Sequence, residues 1–217
     1  LSYAQTLYML PISLFGMSVS AAELPVMSSA LGADAEVHAQ LRGRLDAGLR
    51  QIAFFIVPSA AAFLALGDVV AGTIYQTGRF TATDSRFVWA ILAGSAVGLL
   101  ATTMARLYAS AFYSLKDTRT PLKFALVRVT LGMVLGFSAA VFGPPALGLA
   151  AHWGAAGLTL AAGVCGWIEF SLLRRALNRQ IGPSGLPLRV VATLWGAAAG
   201  AALAGWGVKL AFDAGGH

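Results

Sequence analysis

The chain has 217 residues, of which 58% are hydrophobic and 11% are charged, and its mean hydropathy is +0.74. Soluble domains carry about 25% charged residues, so this chain has too little charge to cover a water-exposed globule and is predicted to lie in a bilayer. Its net charge of +6 does not favour a nucleic-acid partner, because the basic residues lie between apolar runs.

The cysteine and histidine content excludes two further classes of protein. Cys165 is the single cysteine, so an intrachain disulfide framework is excluded. No Cys/His cluster has the spacing of metal ligands. We therefore expect neither a metal site nor a cofactor.

The first residues do not resemble a targeting sequence. The chain opens at Leu1 inside an apolar run, and neither a charged leading region nor a small-residue cleavage site precedes that run. We therefore expect the chain to be a fragment of a longer membrane protein.

Hydropathy divides the chain into six apolar segments, each long enough for a membrane crossing of about 20 residues. This pattern predicts an all-α, polytopic integral membrane protein. The predicted segments cover residues 1–27, 51–75, 87–115, 122–142, 147–173 and 188–212.

Two residues of the first segment predict a bend. Proline inside a helix removes a backbone hydrogen bond, so we expect a kink near Pro11, with Gly16 close by. Neighbouring helices would satisfy the carbonyl that the proline leaves free.

Residues 30–50, which follow the first segment, are polar but contain leucines at every fourth position, Leu41, Leu45 and Leu49. This stripe predicts an amphipathic helix on the cytoplasmic side. Two interpretations remain open from the sequence: a helix that lies along the membrane surface, or a solvated linker helix.

A polar turn joins the third and fourth segments. It contains Lys116, Asp117, Arg119 and Pro121 and is the most polar short connection in the chain. We predict that it forms a cytoplasmic hinge and fixes the orientation of the segments on either side.

Basic residues are distributed unequally between the loops. Ten lie in the first, third and fifth loops: Arg42, Arg44, Arg50, Lys116, Arg119, Lys123, Arg174, Arg175, Arg179 and Arg189. The second loop has two, Arg79 and Arg86, and the fourth has none. By the positive-inside rule the first group of loops is cytoplasmic, so the first segment runs from outside to inside.

Two basic residues lie deeper in the apolar segments, Arg106 in the third and Arg128 in the fourth. If they share a cytoplasm-facing cavity, they would suit an anionic substrate, because guanidinium groups bind phosphate oxygens bidentately. The alternative is that both side chains extend to acidic lipid headgroups. The acidic residues Glu23, Asp68 and Glu169 lie near segment ends and are interpreted as interfacial.

The last segment carries Gly196 and Gly200, which form a GxxxG spacing. Small residues at this spacing allow two helices to approach closely. We interpret the pair as a packing feature and not as a ligand site.

Signatures of enzymes are missing from the sequence. We find no HExxH zinc motif, no G-x-S-x-G elbow, no Walker A loop and no clustered carboxylate pair. The chain is therefore not expected to be an enzyme.

The order of several short motifs resembles the C-terminal half of the MurJ/MviN family, within the multidrug/oligosaccharidyl-lipid/polysaccharide exporter superfamily. The resemblance extends from Leu1 to about Arg179 and weakly beyond it. The matching residues are 3–4, 10–11, 14–16, 23–25, 48–50, 58–60 and 75–84, and most specifically Ala111-Phe112-Tyr113-Ser114 followed by Asp117-Thr118-Arg119-Thr120-Pro121-Leu122-Lys123.

The resemblance implies a transporter with fourteen helices in two lobes. Residues 1–179 resemble helices eight to twelve, and residues 180–217 add a loop and one further helix of the C-terminal lobe; the N-terminal lobe would be missing. It implies a flippase of lipid II, the lipid-linked peptidoglycan precursor, that works by alternating access in the bacterial cytoplasmic membrane. Its partners would be membrane lipids, lipid II or a similar polyprenyl-diphosphate-linked saccharide, and the missing lobe.

One departure from the family pattern lies in the first segment. Well-known members carry an Asp-Arg pair and a Glu where this chain has Gln5, Thr6 and Met9. The loss of these charges favours one alternative, a non-transporting scaffold in cell-wall synthesis. A second alternative, an exporter of another polyprenyl-linked saccharide or solute, stays open because substrate selectivity would lie largely in the missing lobe.

Overall fold

The computed structural model describes residues 2–28, 34–75 and 82–215, and the regular elements in these ranges are all helical. The six predicted crossings are confirmed, since six stretches are long and apolar enough to span a membrane. These are Ala4–Ser28, Ala35–Ile74, Ser85–Ser114, Arg119–Val141, Ala151–Ile181 and Leu188–Gly207.

The fold is organised around the third crossing. The helices are α1 (Ser2–Pro11), α2 (Ser18–Ser28), α3 (Asp34–Tyr75), α4 (Ala82–Ser114), α5 (Arg119–Val141), α6 (Gly143–Ala146), α7 (Gly154–Ile181) and α8 (Leu188–Gly215). Helix α4 packs against α7 on one side and against α3 and the first crossing on the other. Helix α5 packs on α7, and α8 packs on α3, so both lie at the outside of the bundle.

The first crossing is irregular where proline predicts it. A π-helical stretch, Ile12–Met17, starts directly after Pro11 and separates α1 from α2. The Ser18 hydroxyl donates to the Ser13 carbonyl, five residues earlier, at 3.2 Å. Gly16 lies in this stretch, and a Cβ there would be only 2.6 Å from Cγ2 of Thr103. The glycine therefore permits close contact with α4, while the kink itself stays a prediction.

Helix α3 joins two elements that the sequence analysis separated. It runs unbroken from Asp34 to Tyr75, 42 residues, which corresponds to about 63 Å. The expected boundary near Gln51 is therefore wrong. Leu41, Leu45 and Leu49 are each at most 1% exposed, so the leucine stripe packs inside the protein instead of lying on lipid or in solvent.

The fifth crossing also differs from its predicted bounds of 147–173. Helix α7 starts at Gly154, after α6 and a 3₁₀ turn, Ala151–Trp153. Gly148, with a φ of 66°, follows α6 and allows the chain to turn there. Helix α7 then continues to Ile181, because arginine is a good helix former and its long side chain reaches water from the last turns.

The polar turn between α4 and α5 is built around Asp117. Its carboxylate accepts hydrogen bonds from the backbone N–H groups of Arg119 and Thr120, at 3.1 and 3.0 Å, and from the Thr120 hydroxyl at 2.7 Å. These bonds satisfy N–H groups that the first turn of a helix leaves free. Lys116 has a φ of 59° and turns the chain, and Pro121 is buried in the first turn of α5.

The helices on either side of this turn do not form a close hairpin. Helix α7 packs on α4, and α5 packs chiefly on α7, so α7 is the main neighbour of both. That the turn acts as a hinge during transport stays a prediction.

The three loops with the most basic residues meet at one end of the bundle. The backbone N–H of Gly185, in the loop before α8, donates to the Asp46 carboxylate of α3 at 2.9 Å. The Gln180 side chain, near the end of α7, lies close enough to the Asp117 carboxyl of the polar turn to help lower its pKa. This common location agrees with the charge count, which assigns all three loops to the cytoplasmic side.

Candidate functional site

A polar groove opens between four helices of the bundle. It is bounded by α1, α4, α5 and α7 and encloses about 870 Å³, counting its open side. Its lining residues are Gln5, Tyr8, Met9, Ile91, Ser95, Thr102, Arg128, Leu158, Thr159, Ala162 and Gly163. The groove thus combines hydroxyl and amide groups and a single basic side chain with apolar side chains that form most of its surface.

Arg128 supplies the positive charge of this groove. It lies nine residues after the start of α5, which places it about 14 Å into the crossing. Its Nη1 donates to Oε2 of Glu169 on α7 at 3.2 Å, and the side chains of Arg128 and Glu169 are 45% and 10% exposed. Charges inside a membrane are costly unless they are paired or face a wet cavity. Arg128 is paired with Glu169 and lines the groove.

The acidic member of this ion pair was assigned incorrectly from the sequence. Glu169 was interpreted as interfacial, but it is buried on α7 and contacts Arg128. The sequence signal that could have predicted this ion pair is the distance of each residue from the cytoplasmic end of its helix. Glu169 precedes the end of α7 by twelve residues, or about 18 Å, which is close to the depth of Arg128 on the neighbouring helix.

Arg106 has different surroundings from Arg128. Its side chain is exposed on α4, and it does not line the groove, although Thr102 one turn earlier does. The guanidinium group makes no ion pair with any residue in the described ranges. The structure therefore places Arg128 beside Gln5 and Met9, and does not place Arg106 among these residues. Whether Arg106 binds substrate stays a prediction.

The α1 wall of the groove contains the departure from the family pattern. Gln5 and Met9 both line it, and Thr6 does not, so two of the three positions that depart from the expected pattern share this space with Arg128. The wall nearest the first crossing is therefore uncharged here. The charge of the groove comes from Arg128 of α5, which pairs with Glu169 of α7 behind the lining.

A second acidic side chain is unusual for its lack of partners. Oε2 of Glu23 on α2 is buried and has no hydrogen-bond partner within the described part of the chain. A Cβ added at Gly48 of α3 would lie 3.6 Å from Cγ of Glu23. The sequence analysis interpreted Glu23 as interfacial, whereas this carboxyl oxygen is covered by protein.

Sequence comparisons connect the chain to characterised transporters. The profile of the family described as "Lipid II flippase MurJ" matches residues 1–215. The chain belongs to the MurJ lipid II flippase family. Among curated members, the lipid II flippase MurJ of Burkholderia cenocepacia is 32% identical over 180 residues, which are 83% of this chain and 33% of that protein. The probable lipid II flippase MurJ of Rhizobium meliloti is 31% identical over 174 residues, which are 80% of this chain and 30% of that protein.

A solved structure has the same fold as this MurJ-family chain. "Lipid II flippase MurJ, inward closed conformation" matches with a TM-score of 0.76 at 21% identity, over 94% of this chain and 40% of that one. The chain spans about a third of the length of the curated relatives it matches. With its family and six crossings, it is a multi-pass protein of the bacterial cytoplasmic membrane.

Proposed function

We propose that the protein containing this chain is a lipid II flippase that works by alternating access, and that the groove forms one wall of its central cavity. The observation that supports this most is the position of Arg128, a half-exposed arginine about 14 Å into a crossing. A guanidinium group there suits the diphosphate of a polyprenyl-linked saccharide.

In this proposal the chain is the C-terminal lobe and acts together with an N-terminal lobe. In this proposal its crossings correspond to helices eight to thirteen of fourteen, a share close to the 40% of the solved relative's chain that it covers. The second lobe would close the open side of the groove. Transport then needs no bond-making chemistry, and we propose that the protein is not an enzyme.

Glu169 has a defined part in this mechanism. It neutralises Arg128 when no substrate is present, because an unpaired guanidinium at this depth would be costly. A substrate phosphate would compete with Glu169 for Arg128. We place Arg106 in the same cavity only on the family resemblance, and the exposed side chain on α4 is compatible with that role.

A non-transporting scaffold in cell-wall synthesis is the second candidate. It is favoured by the uncharged side chains of Gln5 and Met9 on the α1 wall. An exporter of a different polyprenyl-linked saccharide would use the same groove and the same arginine.

The deciding experiment uses the full-length protein in bacteria depleted of their own flippase. We expect cell growth and lipid II exposure on the outer leaflet to be restored, and Arg128→Gln to reduce exposure at least tenfold, the loss of about 1.4 kcal/mol or more of charged hydrogen bonding. A well-expressed protein that restores neither would favour the scaffold. Growth without lipid II exposure would favour another role in wall synthesis.

A further inference from the structure

A second cavity, separate from the polar groove, lies near the cytoplasmic end of the bundle. Helices α3 and α4 form its floor, α7 and α8 form its sides, and the loop before α8 closes its end. It encloses about 630 Å³, counting its open side. Its lining is mostly apolar and includes Ala53 of α3, Trp167 of α7, and Val191 and Trp195 of α8.

The sides of this cavity belong to helices with different packing partners. Helix α7 packs on α4, while α8 packs on α3, so a gap remains between α7 and α8. Trp167 on α7 and Trp195 on α8 line this gap, and Trp167 is 37% exposed. Trp167 lies two residues deeper on α7 than Glu169, well inside the crossing, where an exposed aromatic side chain contacts lipid or another helix. The opening between α7 and α8 therefore lies at the depth of lipid acyl chains.

Arg174 is the charged residue of the cavity and lies at its cytoplasmic end. Its Nε donates to the Ser184 carbonyl at 3.3 Å, which fixes the side chain against the loop. Its Nη2 lies 2.8 Å from where a Cβ of residue 185 would be, so Gly185, with a φ of 137°, leaves room for it. Neither Nη group donates a hydrogen bond to a residue within the described ranges. Two donors are thus positioned and available to an anion.

The surroundings of Arg174 favour an anionic ligand. Arg175, Arg179 and Arg189 are exposed at the same end. The nearby Asp46 carboxylate, which accepts a hydrogen bond from Gly185, is a negative charge beside them, and the basic groups outnumber it. The cytoplasmic leaflet is rich in anionic lipids, and basic pockets between helices on that side bind their headgroups.

We propose that this cavity binds an anionic phospholipid of the inner leaflet, with its phosphate at Arg174 and an acyl chain between α7 and α8. The apolar lining matches the acyl chain, and the one positioned cation matches the phosphate. Seven residues separate Trp167 from Arg174 on α7, so about 10 Å of chain would be enclosed. This site is distinct from the groove at Arg128 and does not depend on what the protein transports.

The test uses full-length protein purified in detergent and phosphatidylglycerol with a photoreactive group on one acyl chain. After illumination, mass spectrometry locates the labelled peptides. We expect labels on the cavity-lining parts of α7 and α8, and competition by unlabelled phosphatidylglycerol but not by phosphatidylcholine. Equal competition by the two lipids, or labels spread over all exposed helices, would overturn the proposal.

Two matched arginine variants test the headgroup contact. Arg174→Gln should lower labelling about fivefold, the usual effect of one basic residue near an anionic surface. Arg175→Gln removes the neighbouring exposed charge, which does not line the cavity, and should change labelling less than twofold. Equal effects of the two substitutions would mean that only the general positive charge attracts the lipid.

A third variant tests the acyl-chain site. Ala53→Phe fills the floor of the cavity and should abolish labelling there. If this buried substitution prevents folding, Val191→Trp at the half-buried α8 wall serves the same purpose. If either variant folds and is still labelled as strongly as the unchanged protein, the proposed acyl-chain site is wrong.

Discussion

Helices α4 and α7 in the interior of the bundle and helices α5 and α8 at its outside are all apolar. They differ in how closely neighbouring atoms pack against them. A Cβ added at Gly98 of α4 would lie 2.4 Å from Cα of Gly163 on α7, so backbone meets backbone there. On α8, a Cβ at Gly196 or at Gly200 would have no atom within 4 Å among the described residues. The same residue type thus permits close packing in one helix and leaves open surface in the other.

This difference shows which surfaces belong to the interior of this part of the protein. Helix α5 exposes large apolar side chains along its length, among them Leu126, Met133 and Phe137. A bilayer accepts such a surface without cost, and so would another helix. Stability therefore resides in α4 and its neighbours, while α5 and α8 present faces to lipid or to the rest of the protein.

The largest expected effect comes from a bulky residue at the α4–α7 contact. Gly98→Leu would force the two backbones apart, because no flexible side chain is there to move aside. We expect a loss of about 3 kcal/mol or more, or no folded protein. Thermal unfolding of the detergent-purified full-length protein, with size-exclusion chromatography, measures it.

Gly200→Leu is the matched control, with the same change of residue on α8. It should alter stability by less than about 0.5 kcal/mol, because the added side chain meets no described atom. Equal destabilisation by both variants would mean that α8 is as tightly packed as α4 in the whole protein.

The next largest loss of stability is expected at the Arg128–Glu169 ion pair, which joins the outer helix α5 to α7. Glu169→Ala leaves Arg128 without its carboxylate, and we expect a loss of about 1 to 2 kcal/mol, less than for a fully buried pair because Arg128 is 45% exposed. A double-mutant cycle with Arg128→Ala isolates the coupling. A coupling energy of zero would show that α5 is positioned by apolar packing alone.

The smallest expected effect lies in the turn that precedes α5. Hydrogen bonds, first of all from the Thr120 hydroxyl, hold the pKa of the Asp117 carboxyl below its ordinary value. A carboxyl with a lower pKa in the folded state stabilises the protein above its unfolded pKa of about 4, and this contribution is lost as pH falls through the folded pKa. Asp117→Asn should therefore destabilise the protein slightly at neutral pH, with a difference from wild type that shrinks in acid. A difference independent of pH would contradict this origin.

The sequence predicted the crossings and their order because the apolar runs are long and the loop charges are unequal. The predicted start of a separate segment at Gln51 was wrong, because α3 runs unbroken through this position. The sequence has no local helix-stop signal there. Gly196 and Gly200 meet no atom among the described residues, so the packing role of their GxxxG spacing stays a prediction. The close contact at Gly98 and Gly163 depends on two segments far apart in the chain.

The candidate site was predicted in part. Arg128 stood out as a charge inside an apolar segment, but its partner Glu169 did not, because the sequence alone does not state which helices are neighbours. The packing of α5 on α7 and not on α4 decides this pairing. Arg106 does not line the groove that contains Arg128, and the alternative in which both arginines share one cavity stays a prediction.

The central claim is that the groove beside Arg128 is a wet cavity while the outer face of α5 contacts lipid. The most direct measurement is labelling by a water-soluble maleimide in native membranes, in full-length protein whose buried Cys165 is replaced by alanine. Ser95→Cys, in the groove, should be labelled readily, and Leu126→Cys, on the exposed apolar face of α5, should not. Labelling of Leu126→Cys but not of Ser95→Cys would contradict this account, because the aqueous path would then lie on the other side of α5.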